Sequence, residues 1–219
     1  MADQGITAGA GRPAFLDPAS HDAVVESLSQ RQADGIAAWA ALSAAIAEPV
    51  MTERVARAGH ALVSSLAAGG TLLVCGNGGS ASIASHFAAE LVGKCIHDRA
   101  PLPAINLAES PTVMTAIAND YGHDQTFARG VAAHGRPGDV LVAMSTSGRS
   151  RNVLEGLSQA RAHGVTTVLM TGAAGEQMHD SADHLLAVPS QDTPRIQEVH
   201  LLWMHVWCEA IDVLGYGTS

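Results

Sequence analysis

Aromatic side chains are scarce: three Phe, three Trp and two Tyr make up 4% of 219 residues. The core must then rest on Ala, Leu and Val, a composition suited to helices packed closely against a sheet. Cysteine is also rare. Cys75, Cys95 and Cys208 are odd in number, lie in apolar runs and form no CxxC pair. That excludes a disulfide framework and a cysteine-rich metal motif, and points to a reducing, cytoplasmic setting. Basic residues number 12 against 21 acidic ones, for a net charge of −9, so a basic face for nucleic acid is not expected. An anionic ligand would have to be met by a local positive site, such as a helix N-terminus. No apolar run reaches the roughly 18 residues of a membrane span. The N-terminus lacks a basic stretch followed by an apolar one, so no secretory signal is expected. Fixed-period repeats and low-complexity segments are absent as well. What remains is a chain with 47% hydrophobic residues, long enough for one sizeable core.

Residues 1–20 lack periodicity and read as a mobile tail, leaving a single domain over 21–219. Its first segment, 21–69, is helical: Val24, Leu28, Ile36, Trp39, Leu42 and Ile46 recur at helical spacing, Pro49 breaks the pattern, and a second helix follows from about Thr52. Beyond Gly69-Gly70, five apolar runs alternate with helical stretches: Thr71–Cys75, Pro103–Leu107, Val140–Ser145, Thr166–Met170 and Leu185–Val188. Most lack in/out alternation, as strands buried on both faces do. The alternation predicts right-handed crossovers and a parallel sheet. A final apolar helix spans about Pro194 to Leu214.

Ligands of such sheets sit beyond the carboxyl ends of the strands, and three stretches there carry chemistry. Gly76-Asn77-Gly78-Gly79-Ser80 follows the first strand, with Ser80 a candidate N-cap. With Ala81 the loop also fits a loose dinucleotide fingerprint, and Glu109 stands where a ribose-binding acid could sit. On the next helix, His86 and Glu90 share a face four residues apart within apolar surroundings, a pairing suited to zinc. Ser145-Thr146-Ser147-Gly148-Arg149-Ser150 follows the third strand. Its hydroxyls and the helix N–H groups beyond make a phosphate cradle, and the lack of a Walker lysine favours a sugar phosphate over a nucleoside triphosphate.

These motifs, with Ala118-Asn119-Asp120-Tyr121-Gly122, Asn152-Val153 and Arg195-Ile196-Gln197-Glu198, resemble the phosphoheptose isomerases of the sugar isomerase (SIS) family, from about residue 24 to 213. The resemblance implies a three-layer α-β-α sandwich on a five-stranded parallel sheet, with N-terminal helices packing in a homotetramer. It implies isomerisation of D-sedoheptulose 7-phosphate to D-glycero-D-manno-heptose 7-phosphate or an epimer. It implies one Zn2+ per subunit on His86, Glu90, Gln197 and His205. Substrate contacts would fall on Asn77, Gly78, Gly79, Glu90, Asn119, Asp120, Ser145, Thr146, Ser147, Ser150 and Gln197, with Glu90 and His205 as acid/base groups. A non-catalytic relative that binds a partner such as a replication initiator is the alternative. Two positions depart from the family: Pro194 replaces an acid, and Lys94 stands where arginine is common. Spacing alone would pair Glu198 with His205, since Gln197 and His205 are eight residues apart, about 12 Å along a helix. His200 reads as a core histidine.

Overall fold

All five apolar runs form strands, β1 (Leu72–Gly76), β2 (Ala104–Asn106), β3 (Val140–Ser145), β4 (Thr166–Gly172) and β5 (His184–Val188). They pair in parallel in the order β2-β1-β3-β4-β5. The computed structural model describes residues 20–216, so the expected tail, Ser20 apart, lies outside the described residues. The chain forms two compact units, one ending at Ala41 and the other running from Leu42. The sheet lies wholly in the second.

Every residue of β1 and β3 is buried, which is why these strands show no alternation. Two helical layers cover them. Helix α2 (Pro49–Ala67) packs on β5, α3 (Gly79–Val92) on β1, and α7 (Thr193–Tyr216) on β4 and α3. On the opposite face α5 (Thr126–His134) and α6 (Arg151–Ala162) pack against each other. There Phe127, Val131, Val153 and Leu157 meet Leu73, Cys75, Leu141 and Leu169 in one buried cluster. The remaining helices are α1 (His21–Ile46) and α4 (Pro111–Tyr121). Pro49 opens α2, and Ser110 caps α4 by accepting from the Val113 N–H at 3.3 Å, both ordinary helix starts.

On the α2/α3/α7 face, Trp207 stacks on Phe87 with ring centroids 6.1 Å apart and donates its indole N–H to the Val55 carbonyl at 3.1 Å. Gly59 makes this fit possible, because a Cβ there would lie 2.6 Å from the Trp207 ring. Lower on α7, His200 is fully buried and its Nε2 bonds the Thr171 carbonyl of β4 at 3.2 Å. It is the core histidine expected, with Nδ1 unbonded.

Burial pushes the His200 pKa from 6.5 down to about 4, against a smaller upward pull from the Thr171 bond. The unfolded chain therefore takes up a proton near pH 6.5 that the folded chain refuses until about pH 4. Stability present above that window is lost as pH falls through it, by up to about 3 kcal/mol. Urea midpoints across this range should fall less steeply for His200→Gln than for wild type; equal slopes would assign the loss to other groups.

Candidate active site

The chain order reverses at β1, which has β2 on one side and β3 on the other. The crevice at such a switch point is where open α/β sheets bind ligands. Register Gly76↔Met144 brings the two candidate loops out side by side.

In the first loop the chain turns at Gly78 (φ 56°), which is also the residue before α3. Ser80 is therefore not the N-cap expected: it lies inside α3, 3% exposed. The cap takes a positive φ that glycine adopts freely and serine avoids. Ser80 instead packs under the turn, where a Cβ on Gly76 would come within 2.7 Å of it. The Ser80, Ala81 and Ser82 N–H groups already donate to the Asn77 and Gly78 carbonyls, so the start of α3 offers the crevice chiefly the positive end of its dipole.

The second loop is built from its own hydroxyls. Ser145 Oγ bonds Ser150 Oγ at 2.9 Å, and the Arg149 N–H donates to Ser147 Oγ at 3.2 Å. Gly148 (φ 67°) crosses so close to Gly175 that a Cβ would lie 2.7 Å from its Cα. Thr146 is half-buried, and Ser147 and Arg149 are exposed.

A reciprocal amide pair joins the first loop to the start of α6, just beyond the second. Asn77 Nδ2 donates to Asn152 Oδ1 and Asn152 Nδ2 donates to Asn77 Oδ1, both at 2.9 Å. Asn152, 1% exposed, also bonds Thr126 Oγ1 at 3.2 Å. The sequence shows Asn152 beside Val153 without marking a role for it. The signal was present: Asn152 occupies the buried stripe of α6 with Val153, Gly156, Leu157 and Ala160. A buried amide there requires a partner.

On α3 and α7, His86, Glu90 and His205 converge. Their ligand atoms lie within 4.8 Å of one another, the one such group of three or more His, Cys, Asp or Glu among the described residues. His86 Nε2 is 3.1 Å from His205 Nε2 and 3.3 Å from Glu90 Oε1. Glu90 Oε2 is buried without a hydrogen-bond partner. A buried carboxylate oxygen left so is costly unless a cation or proton meets it. Tetrahedral zinc holds its nitrogen ligands about 3.3 Å apart, close to the spacing of the two imidazoles, so this donor set fits a zinc ion. Beside it stands Cys95, its thiol pushed up to about 11, first by burial and then by the Glu90 carboxylate.

The other expected ligand, Gln197, sits early on α7, and its amide lies against Gly79, where a Cβ would be 2.7 Å away. Gln197 is thereby placed at the start of α3, while His86 lies seven residues further along. Glu198, the alternative that spacing favoured, pairs instead with Arg195 at 2.7 Å and is outside the cluster. Asn119 and Asp120 are exposed on the last turn of α4, bonded to each other at 2.8 Å. They are not brought into the His–Glu–His group. Glu109 is exposed beyond β2.

Known proteins share this fold. The SIS domain family matches residues 36–172, more than half of the chain. The phosphoheptose isomerase of Rhodospirillum rubrum is 48% identical over 158 residues, covering 72% of this chain and 84% of the relative. The structure of phosphoheptose isomerase from Neisseria gonorrhoeae aligns with a TM-score of 0.76 at 38% identity, covering 87% of this chain and 99% of that one. A phosphoheptose isomerase from Francisella tularensis aligns at 0.77 and 37% identity, covering 86% and 98%. With the parallel sheet, the paired loops and the His–Glu–His cluster in place, the chain belongs to the phosphoheptose isomerases of the SIS-domain family.

Proposed function

We propose that this enzyme interconverts D-sedoheptulose 7-phosphate and D-glycero-D-manno-heptose 7-phosphate, or an epimeric aldoheptose 7-phosphate. The observation that carries the reading is the convergence of His205 of α7 with His86 and Glu90 on the helix that begins at the glycine loop. The start of α3 offers the ligand the positive end of its dipole, and a point about 10 Å along it offers metal and proton chemistry. Kinship with proteins named phosphoheptose isomerase supports the substrate class. Nothing among these relatives supports the non-catalytic alternative.

The reaction moves a proton between C1 and C2 while the carbonyl changes places, through an enediol. Glu90 is the base, its side chain 18% exposed and its Oε1 beside His86. His205 is its acid/base partner at the sugar oxygens. His86, Glu90 and His205 would hold one Zn2+, with Gln197 joining them once its amide swings from Gly79 toward the cluster; when bound, the ion supplies a positive charge to polarise the carbonyl. Ser145, Thr146, Ser147 and Ser150, with the first N–H groups of α6, hold the phosphate and so fix the reacting carbons. Asn77, Gly78, Gly79, Asn119 and Asp120 complete the substrate contacts. Ser147→Ala should raise KM roughly tenfold with kcat nearly unchanged, since it deletes one hydrogen bond remote from the chemistry; an equal loss in kcat would move Ser147 to the reacting end.

The enzyme is further proposed to be a cytoplasmic homotetramer, with its N-terminal helices packing between copies. Leu28 and Ile36 on α1, and Leu202, Val206 and Val213 on α7, are apolar and exposed, as faces that meet a second copy are. Light scattering on the eluted protein would read four chains; a monomer would remove this part. The activity itself is tested by incubating zinc-loaded enzyme with D-sedoheptulose 7-phosphate and following the product by NMR. Growth of an aldose anomeric proton is expected, and its coupling identifies the epimer; an unchanged ketose would overturn the proposal.

A further inference from the structure

The segment joining α3 to β2 carries a buried ion pair that the chemistry above does not use. Arg99 Nε donates to Asp212 Oδ1 at 2.6 Å, with side chains 6% and 0% exposed. Asp212 Oδ2 accepts the backbone N–H groups of Cys95, Ile96 and His97 at 2.9, 2.7 and 3.0 Å. Burial raises the carboxyl pKa, but these backbone bonds and Arg99 outweigh it and hold the acid below its ordinary range. The guanidinium then turns to the end of α3. Nη2 donates to the Glu90 carbonyl and Nη1 to the Leu91 carbonyl, both at 2.8 Å.

These contacts form one path between the two helices of the site. Glu90 is held at its own main chain by Arg99, Arg99 is held by Asp212, and Asp212 lies seven residues beyond His205, on the same face of α7. The last carbonyls of α3, which no intrahelical donor reaches, are capped by a cation whose partner rides on α7. A pair this deep is weak support for stability, since desolvation offsets much of its attraction. What it supplies is registration: α3 cannot slide along α7 without breaking two carbonyl bonds and a charge pair.

We propose that Arg99 and Asp212 are positioning residues that set α3 against α7 so that His86, Glu90 and His205 converge on one ion. The inference rests on the metal reading of that cluster. Partners outside a metal's own ligands typically tune its affinity 10–100-fold.

The test uses the full chain with Asp212→Asn, Arg99→Lys and the control Asp139→Asn. Asp139 is also a buried carboxylate, accepting the Thr71 and Arg136 N–H groups at 2.7 and 2.8 Å, but it lies at the opening of β3, away from α3 and α7. Zinc dissociation constants are measured by chelator competition on protein shown to be folded by circular dichroism, beside Tm, kcat and KM. Asp212→Asn should weaken zinc binding 10–100-fold and lower kcat, with KM changed less than about threefold. Asp139→Asn should lower Tm and leave zinc affinity at the wild-type value. If Asp212→Asn does not fold, Arg99→Lys decides, because lysine keeps the charge but cannot fork between Asp212 and the α3 carbonyls; weaker zinc binding is expected. Wild-type zinc affinity in the folded variants, with only Tm reduced, overturns the proposal. Wild-type protein that binds no zinc overturns the metal reading and this inference with it.

Discussion

Replacing Glu90 with Gln should leave a folded protein whose turnover of sedoheptulose 7-phosphate is slower by roughly a thousandfold or more. General-base catalysis alone contributes about 10²–10⁴, and any share in metal binding adds to the loss. The fold should not suffer. Glu90 keeps one oxygen, Oε2, buried with no hydrogen-bond partner, and in the metal-free chain that arrangement is a cost. An uncharged amide of the same shape lowers the cost, because a neutral group is cheaper to bury than a charge, so Tm of the metal-free variant should equal or exceed that of metal-free wild type. Turnover within a few fold of wild type would refute the assignment of Glu90 as base. A large drop in Tm would mean that the carboxylate is structural.

His86→Ala carries the second large effect. The side chain is 46% exposed, so truncating it removes little packing, and the folded baseline by circular dichroism should match wild type. Its Nε2 nevertheless stands at 3.1 Å from His205 and 3.3 Å from Glu90. Losing one of the nitrogen donors should weaken zinc binding by several orders of magnitude, because a zinc ion with only two firm side-chain ligands lacks the closed shell such sites need. Activity should fall with metal content, and excess zinc should restore only part of it. Exhaustive chelation of wild type should produce the same loss, reversibly. Full activity in chelated enzyme, verified metal-free, would remove the ion from the reaction.

Much of the architecture was legible because a parallel sheet buried on both faces writes itself as short apolar runs. Val140–Ser145 was read with both ends correct. β4 runs two residues past the expected Met170, through Thr171 and Gly172, because these pair on into β5; polar Thr171 hid the continuation. The pairing of His86 with Glu90 was visible as i,i+4 spacing on one helix, since local geometry follows from the helix alone. Ser80 misled because residue type suggested the cap while the backbone demanded a positive φ at Gly78. The Asn77–Asn152 and Arg99–Asp212 pairs join residues 75 and 113 apart. No period or spacing encodes such contacts; only the fold brings them together. Gln197 lay between these cases: its helix was predicted, but its place against Gly79 depends on how α7 meets α3.

Zinc-edge anomalous scattering from crystals of the zinc-loaded enzyme tests the central claim most directly. The account predicts one strong peak per subunit between α3 and α7, within bonding distance of His86, Glu90 and His205, with the Gln197 amide swung from Gly79 to serve as the fourth protein donor. No peak, or a peak bound by other residues while those three side chains stand free, would contradict it.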